Sequence, residues 1–125
     1  MADVTFTRPD LDTFAGVDGL GLVITGQRIE VGRAVLACRV IEPDPWCRRC
    51  GGEGRVRDSV VRRLAHVPFG WRPTVLEVTV RRYRCRECGM VWRQDTTAAA
   101  EPRAKLSRAA LRWALEALVL YHLTV

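Results

Sequence analysis

At 125 residues, 48% of them apolar and only 7% aromatic, the chain is long enough for one domain with a mostly aliphatic core. No stretch approaches the roughly 20 consecutive apolar residues that cross a bilayer. The acidic opening MADVTFTRPDLD has neither the basic nor the apolar region of a secretory leader, so a cytoplasmic protein without a membrane partner is expected. The net charge of +6 is unevenly spread, with −3 over residues 1–47, +8 over 48–93 and +1 over 94–125. A basic middle of this kind suits a polyanion, nucleic acid above all. A GC-rich genome would also enrich arginine, which supplies every basic residue but Lys105, but it would not cluster it.

The first predicted element is a short helix in TRPDLDTFAGVDG, with Thr7 as cap, Pro9 in the first turn and Asp10 at the positive end of the dipole. Leu11, Phe14 and Ala15 fall on one face and Gly16 ends it. LGLVIT and RAVLACRVI, separated by turn-forming glycines, read as paired strands, and the prolines of EPDPW stop the second. GRVRDSVVRRLAHVPFGWRP is a further strand running into a Pro-Gly-Pro turn. TVLEVTVRRYRC alternates, with Leu76, Val78 and Val80 on one face and Glu77, Thr79 and Arg81 on the other. MVWRQ reads as a short return strand. The last element is a helix from about Leu106 to the chain end, capped by Ser107, with Arg108, Arg112 and Glu116 as a narrow polar stripe. The rest of it is apolar almost all round, which predicts burial. It ends without glycine, proline or a basic last turn, as an interrupted element would.

Five cysteines in a reduced compartment are a poor disulfide framework, and four stand in two matched devices, Cys47-Arg-Arg-Cys50-Gly51 and Cys85-Arg-Glu-Cys88-Gly89. The C-x-x-C gap lets one turn present two thiolates, and the following glycine permits the left-handed backbone that the turn needs. Two such knuckles complete the closed tetrahedral shell of one structural zinc ion; two disulfides or four free thiols are the alternatives. The 34 residues between Cys50 and Cys85 exceed the usual ribbon spacing, so the fold class expected is α+β: an enlarged β-rich zinc ribbon with a short N-terminal helix and a long apolar C-terminal helix. The division that follows is 1–45, helix and β-hairpin packing on the ribbon; 46–95, the ribbon; 96–105, a linker; and 106–125, the C-terminal helix, leading toward a missing helix-turn-helix. Trp46, Trp71 and Trp92 are expected to cover the metal rather than stack on bases. His66 reads as a surface or packing residue rather than a fifth ligand, Cys38 as a half-buried small hydrophobe, and His122 as an interface residue.

The order of CRRCGG, RVRDSVVRRLAHVPFGWRPTVLEVTVRRYRC and RECGMVWRQ resembles the N-terminal zinc-ribbon region of insertion-sequence transposases of the ISL-three group, over roughly residues 18–125. Asp58 on the strand after the first pair, the loose Leu64–Pro68–Gly70 passage, Arg81, Arg82, Tyr83 and Cys85, and the aromatic Trp92 after the second pair carry the likeness. Many members have a longer gap in the second cysteine pair, and His66 stands where the family often has an acidic residue. The resemblance implies a bacterial, nucleoid-associated protein continuing into a helix-turn-helix and an RNase-H-like domain with three carboxylates. On that comparison the 125 residues are the front piece of such a transposase, whether a fragment, a decayed gene or a short product.

The function expected is DNA binding at the terminal inverted repeats, without catalysis by this chain. Arg48, Arg49, Arg62, Arg63, Arg81, Arg82, Arg84 and Arg86 are the candidate phosphate contacts. The alternative is a zinc-stabilised scaffold, or a dimerisation domain joined through the C-terminal helix to a second copy or to the rest of the transposase. A rubredoxin-like iron site for electron transfer is a third reading.

Overall fold

The structure, a computed structural model, describes residues 10–121. Along them run α1 (Leu11–Ala15), a 3-10 turn (Asp18–Leu20), β1 (Leu22–Glu30), β2 (Arg33–Val40), β3 (Gly54–Phe69), β4 (Arg72–Cys85), β5 (Val91–Arg93) and α2 (Arg108–Leu120). Thr7, Pro9 and His122 lie outside the described residues. The N-cap of α1 is Asp10, whose carboxylate accepts the backbone N–H of Asp12 at 3.1 Å; Gly16, at φ 73°, closes the helix as expected. Asp12 in turn accepts the N–H of Ile24 at 2.8 Å, which pins this single turn to β1.

The five strands form one sheet in the order β1-β2-β4-β3, with β5 also on β4. β1 and β2 are the expected antiparallel hairpin, and β3 and β4 are a second, longer one. The two hairpins join through β2 and β4, which run parallel with Ala34–Arg39 beside Thr74–Thr79. Past Thr79 the same edge of β4 is taken over by β5, which pairs Arg93 with Arg82, Trp92 with Tyr83 and Val91 with Arg84. Hairpin and ribbon therefore share one continuous ladder.

Two hydrophobic cores lie on opposite faces of this sheet. Leu76, Val78 and Val80 are buried with Leu22, Leu36, Cys38, Val40 and Leu64 in the larger one. Tyr83 and Cys85 are buried with Cys47 and Trp92 in the smaller. Because side chains alternate along a strand, the step from the even-numbered set to the odd-numbered set means that β4 changes its buried face after Val80. β3 must change with it, and does so by a bulge: Val56 faces Tyr83 but Asp58 faces Arg82, leaving Arg57 unpaired. Without that extra residue Leu64 and His66 would point to the wrong side.

Residues 96–105, expected as a linker, carry no helix or strand, yet Ala99 and Ala100 are buried in the larger core. The Arg62 guanidinium fastens the segment, donating to Thr96 Oγ1 at 2.9 Å, the Glu101 carbonyl at 2.7 Å and the Ala104 carbonyl at 3.0 Å. Ser107 caps α2 as expected, its Oγ accepting the N–H of Ala110 at 3.0 Å. The expected burial of that helix is not what the fold delivers. Its covered side is the alanine line Ala110, Ala114 and Ala117, while Leu111, Trp113, Leu115, Leu118, Val119 and Leu120 are exposed. Small residues let the helix lie close to the sheet by its first turn, and no other described element reaches its bulky side.

His66 is the buried joint of three elements. Its Nε2 lies 2.6 Å from the Ala15 carbonyl, and its Nδ1 lies 2.8 Å from Ser107 Oγ. One neutral tautomer satisfies all of them: Nε2–H donates to Ala15, Ser107 O–H donates to Nδ1, and Ser107 Oγ accepts from Ala110. Burial holds the His66 pKa below its ordinary 6.5. Below about pH 6.5 the unfolded chain therefore takes up a proton before the folded one does, and stability falls with pH until the folded pKa is passed. In urea titrations of the zinc-loaded protein, the midpoint should drop more between pH 7.5 and 5.5 for the wild type than for His66→Gln. Ser107→Ala, which removes both the cap and the histidine's partner, should cost about 1–2 kcal/mol by the same measurement; equal slopes for wild type and His66→Gln would refute the neutral-histidine joint.

Candidate metal centre

The two knuckles fold as copies of one another. In the first, the Gly51 N–H donates to the Cys47 carbonyl at 3.0 Å and the Cys47 N–H to the Gly52 carbonyl at 2.8 Å; in the second, Gly89 donates to Cys85 at 3.2 Å and Cys85 to Met90 at 2.8 Å. Gly51 and Gly89 both stand at φ 75°, the left-handed conformation that the sequence pattern requires at that position. The first knuckle enters from the 41–53 segment, and the second continues from the end of β4.

The sulfurs of Cys47, Cys50, Cys85 and Cys88 all lie within 4.8 Å of one another, with Cys47–Cys88 at 3.6 Å and Cys50–Cys85 at 3.4 Å. A tetrahedron with Zn–S bonds of about 2.3 Å has S–S edges of about 3.8 Å, so the set fits one zinc ion. The protonation balance points the same way. The Cys47 thiol is drawn below its usual pKa by the backbone N–H groups of Cys50 and then Arg49, Cys85 by those of Cys88 and Glu87, and Cys88 by that of Met90. The Gly52 N–H draws Cys50 down as well, but the Cys85 sulfur, desolvation and the sulfurs of Cys88 and Cys47 together outweigh it and Cys50 is pushed up to about 12. Four thiolates this close coexist around a dication and not otherwise. Cys38 stays apart in the larger core, with burial raising its pKa to about 11, and is no ligand.

Behind the sulfurs, Trp92 stacks on Tyr83 with ring centroids 5.7 Å apart and lies so close to Gly54 that a Cβ there would sit 2.5 Å from the indole. Asp44 organises this layer: its N–H donates to Tyr83 Oη at 3.3 Å, its carbonyl accepts Trp92 Nε1–H at 2.8 Å, and its carboxylate receives Arg48 and the N–H of Asp95. Gln94 adds a strap, donating to the Glu42 carbonyl at 2.6 Å and accepting from the Arg81 N–H at 3.2 Å. Neither Asp44 nor Gln94 stood out in the sequence, because their partners come from β4, β5 and the segment between β2 and β3. Of the three tryptophans expected over the metal, only Trp92 takes that place. Trp46 is exposed, and Trp71 is fully exposed at the β3–β4 turn, a whole strand-length from Cys85 at the other end of β4.

The eight candidate arginines do not form one cluster. Arg48 binds Asp44 and lies 5.6 Å over the Trp92 ring, Arg62 holds the 96–105 segment, Arg63 pairs with Glu77 at 3.1 Å, and Arg82 makes a two-pronged pair with Asp58. Arg49, Arg81, Arg84 and Arg86 have no side-chain acceptor among the described residues. Exposed Arg55, Arg57 and Arg93, which sequence reasoning passed over, are equally unpaired there; their proximity to Arg82 and Arg84 follows from the strand register alone.

Residues 43–88, just over a third of the chain, match the family model described as the zinc-finger of transposase IS204/IS1001/IS1096/IS1165. No curated protein and no solved structure matches the chain. The matched span holds all four cysteines and agrees with the family resemblance carried by the cysteine–arginine motif. Over residues 43–88 the family match and the geometry agree on a transposase-type zinc-finger domain with a four-cysteine zinc site, and no described helix is long and apolar enough to cross a membrane.

The protein should bind one zinc equivalent, and a strong chelator or Cys85→Ser should unfold the knuckles, since structural zinc supplies on the order of 10 kcal/mol. Circular dichroism and melting curves that do not change after complete zinc removal would contradict this, and a red, iron-loaded protein would favour the rubredoxin-like reading. Gly54→Ala should cost about 1–3 kcal/mol by forcing Trp92 off the strand, seen as a shift in tryptophan emission together with a lower melting temperature.

Proposed function

We propose that this chain is the zinc-ribbon DNA-binding module of a transposase, helping to hold the terminal inverted repeats of an insertion element. It performs no catalysis itself and works in the bacterial cytoplasm beside the nucleoid. The observation that carries this reading is the coincidence of the matched zinc-finger span with the four-cysteine cluster and with a surplus of guanidinium groups around it that have no side-chain acceptor among the described residues. Zinc, when bound, supplies rigidity: all four ligands are protein sulfurs, so it fixes the ends of β3 and β4. The arginines contact phosphate, which sets register and orientation without reading sequence. Base reading belongs to a helix-turn-helix of the kind the family resemblance implies.

A second reading has its own support. The bulky side of α2, from Leu111 to Leu120, is exposed, as a helix that docks on the rest of a transposase or on a second copy would be. In that case zinc stabilises a scaffold, and DNA contact is made elsewhere.

Fluorescence anisotropy on duplex DNA separates the two. With four to six phosphate contacts the log–log salt slope should be about −4 to −5, affinity for repeat-end and scrambled duplexes should agree within a few fold, and chelation should abolish binding. Binding that ignores salt would rule out the phosphate reading. Sizing chromatography tests the scaffold: a dimer or aggregate that becomes monomeric when Leu118 and Leu120 are made polar supports it, and a monomer in both forms counts against a homodimer.

A further inference from the structure

From the strand register we infer that the DNA-facing surface is a two-row arginine track on β3, β4 and β5, on the reverse side of the sheet from the Trp92–Tyr83 core, with Asp58 as its built-in brake. This deepens the nucleic-acid reading and rests on it. The pairing places Arg93 of β5 beside Arg82 of β4, and Arg84 of β4 beside Arg55 of β3. Tyr83, Trp92, Cys85 and Gly54 occupy the alternate positions and face the metal side. Alternation therefore puts Arg93, Arg82, Arg84 and Arg55 on one face. All but Arg82 are exposed.

Like charges directly opposed across a ladder destabilise it, yet here two arginine pairs stand in consecutive rows. Of these four, only Arg82 has a carboxylate partner among the described residues, Asp58. The two rows are two residues apart on β4, about 7 Å, close to the interval between successive phosphates on one nucleic-acid strand. The second row opens into a cleft of about 610 Å³ lined by Arg55, Arg84, Arg86 and the second knuckle. Forks of donors in this arrangement suit phosphate oxygens bound in pairs. The zinc–thiolate centre carries −2 and takes up part of the charge of Arg84 and Arg86 beside it, but Arg93 belongs to the other row.

The bulge sets the strength of the track. Continued without it, the register would bring Arg57 opposite Arg82 and Asp58 opposite Arg81. The extra residue substitutes a carboxylate for a guanidinium in the first row. Removing that carboxylate frees Arg82 for phosphate.

The test is salt-dependent anisotropy of the zinc-loaded chain with a labelled duplex, after circular dichroism and zinc content show each variant folded. Arg55→Ala, Arg84→Ala and Arg93→Ala should each weaken binding several-fold and flatten the salt slope by about 1. Arg63→Ala, on the other face and already paired with Glu77, should leave the slope as it is. Asp58→Asn should tighten binding and steepen the slope by about 1. If the wild type binds but the three track variants keep its slope while Arg49→Ala and Arg81→Ala flatten it, the track is overturned and the DNA reading stands. If the wild type does not bind duplex, both fall. Track variants that lose zinc affinity with no change in slope would assign the arginines to the metal centre and overturn the track, and weaker binding by Asp58→Asn would overturn the brake.

Discussion

Everything in this fold depends on β4 having to serve two cores on opposite faces. Its first part, Thr74 to Val80, buries even-numbered side chains in the aliphatic core; its last part buries Tyr83 and Cys85 against the metal layer. A strand of constant alternation cannot do both with one buried face. The Arg81–Arg82 pair is the place of exchange, where two long polar side chains in a row let the buried face switch. The bulge at Arg57 makes the matching exchange on β3, and the change of neighbour from β2 to β5 makes it along the other edge. Sheet order, bulge and zinc position are three consequences of one requirement.

The metal centre closes this arrangement where hydrophobic burial is too small to do so. The smaller core has four buried residues, two of them cysteines, and its knuckles are held mainly by the sulfurs they share. Asp44, Gln94 and Arg48 give the polar backing that orients the layer, each bonded to groups outside its own strand or turn. Asp44 bonds both rings of the Tyr83–Trp92 stack through its backbone and both flanking segments through its carboxylate, so the first knuckle cannot move independently of β5.

Charge serves two purposes across the molecule. Some arginines are structural: Arg62 replaces a missing strand partner for the 96–105 segment, and Arg28 and Arg63 converge on Glu77 from two strands. Others face outward with no acceptor within the described residues. This division cannot be inferred from the number of arginines, because a guanidinium near a backbone carbonyl and one near solvent look alike in a sequence. It also narrows the nucleic-acid reading, since a side chain already satisfied by three acceptors has little left for phosphate.

The local signals in the sequence were sufficient for the strands, the start of α2 and the two cysteine pairs. Alternation marked β4, glycines and prolines marked the turns, Ser107 marked the start of α2, and two C-x-x-C-G motifs marked the four sulfurs, because each of these depends on residues within one turn or strand. The tertiary structure alone decided that β2 and β4 run parallel, that Trp71 lies at the far end from the metal, that His66 joins α1 to α2, and that the bulky side of α2 remains uncovered. It also chose the arginines that stand together. Those outcomes depend on which residue lies opposite which across a ladder, and a single bulged residue at position 57 changes every such pairing after it.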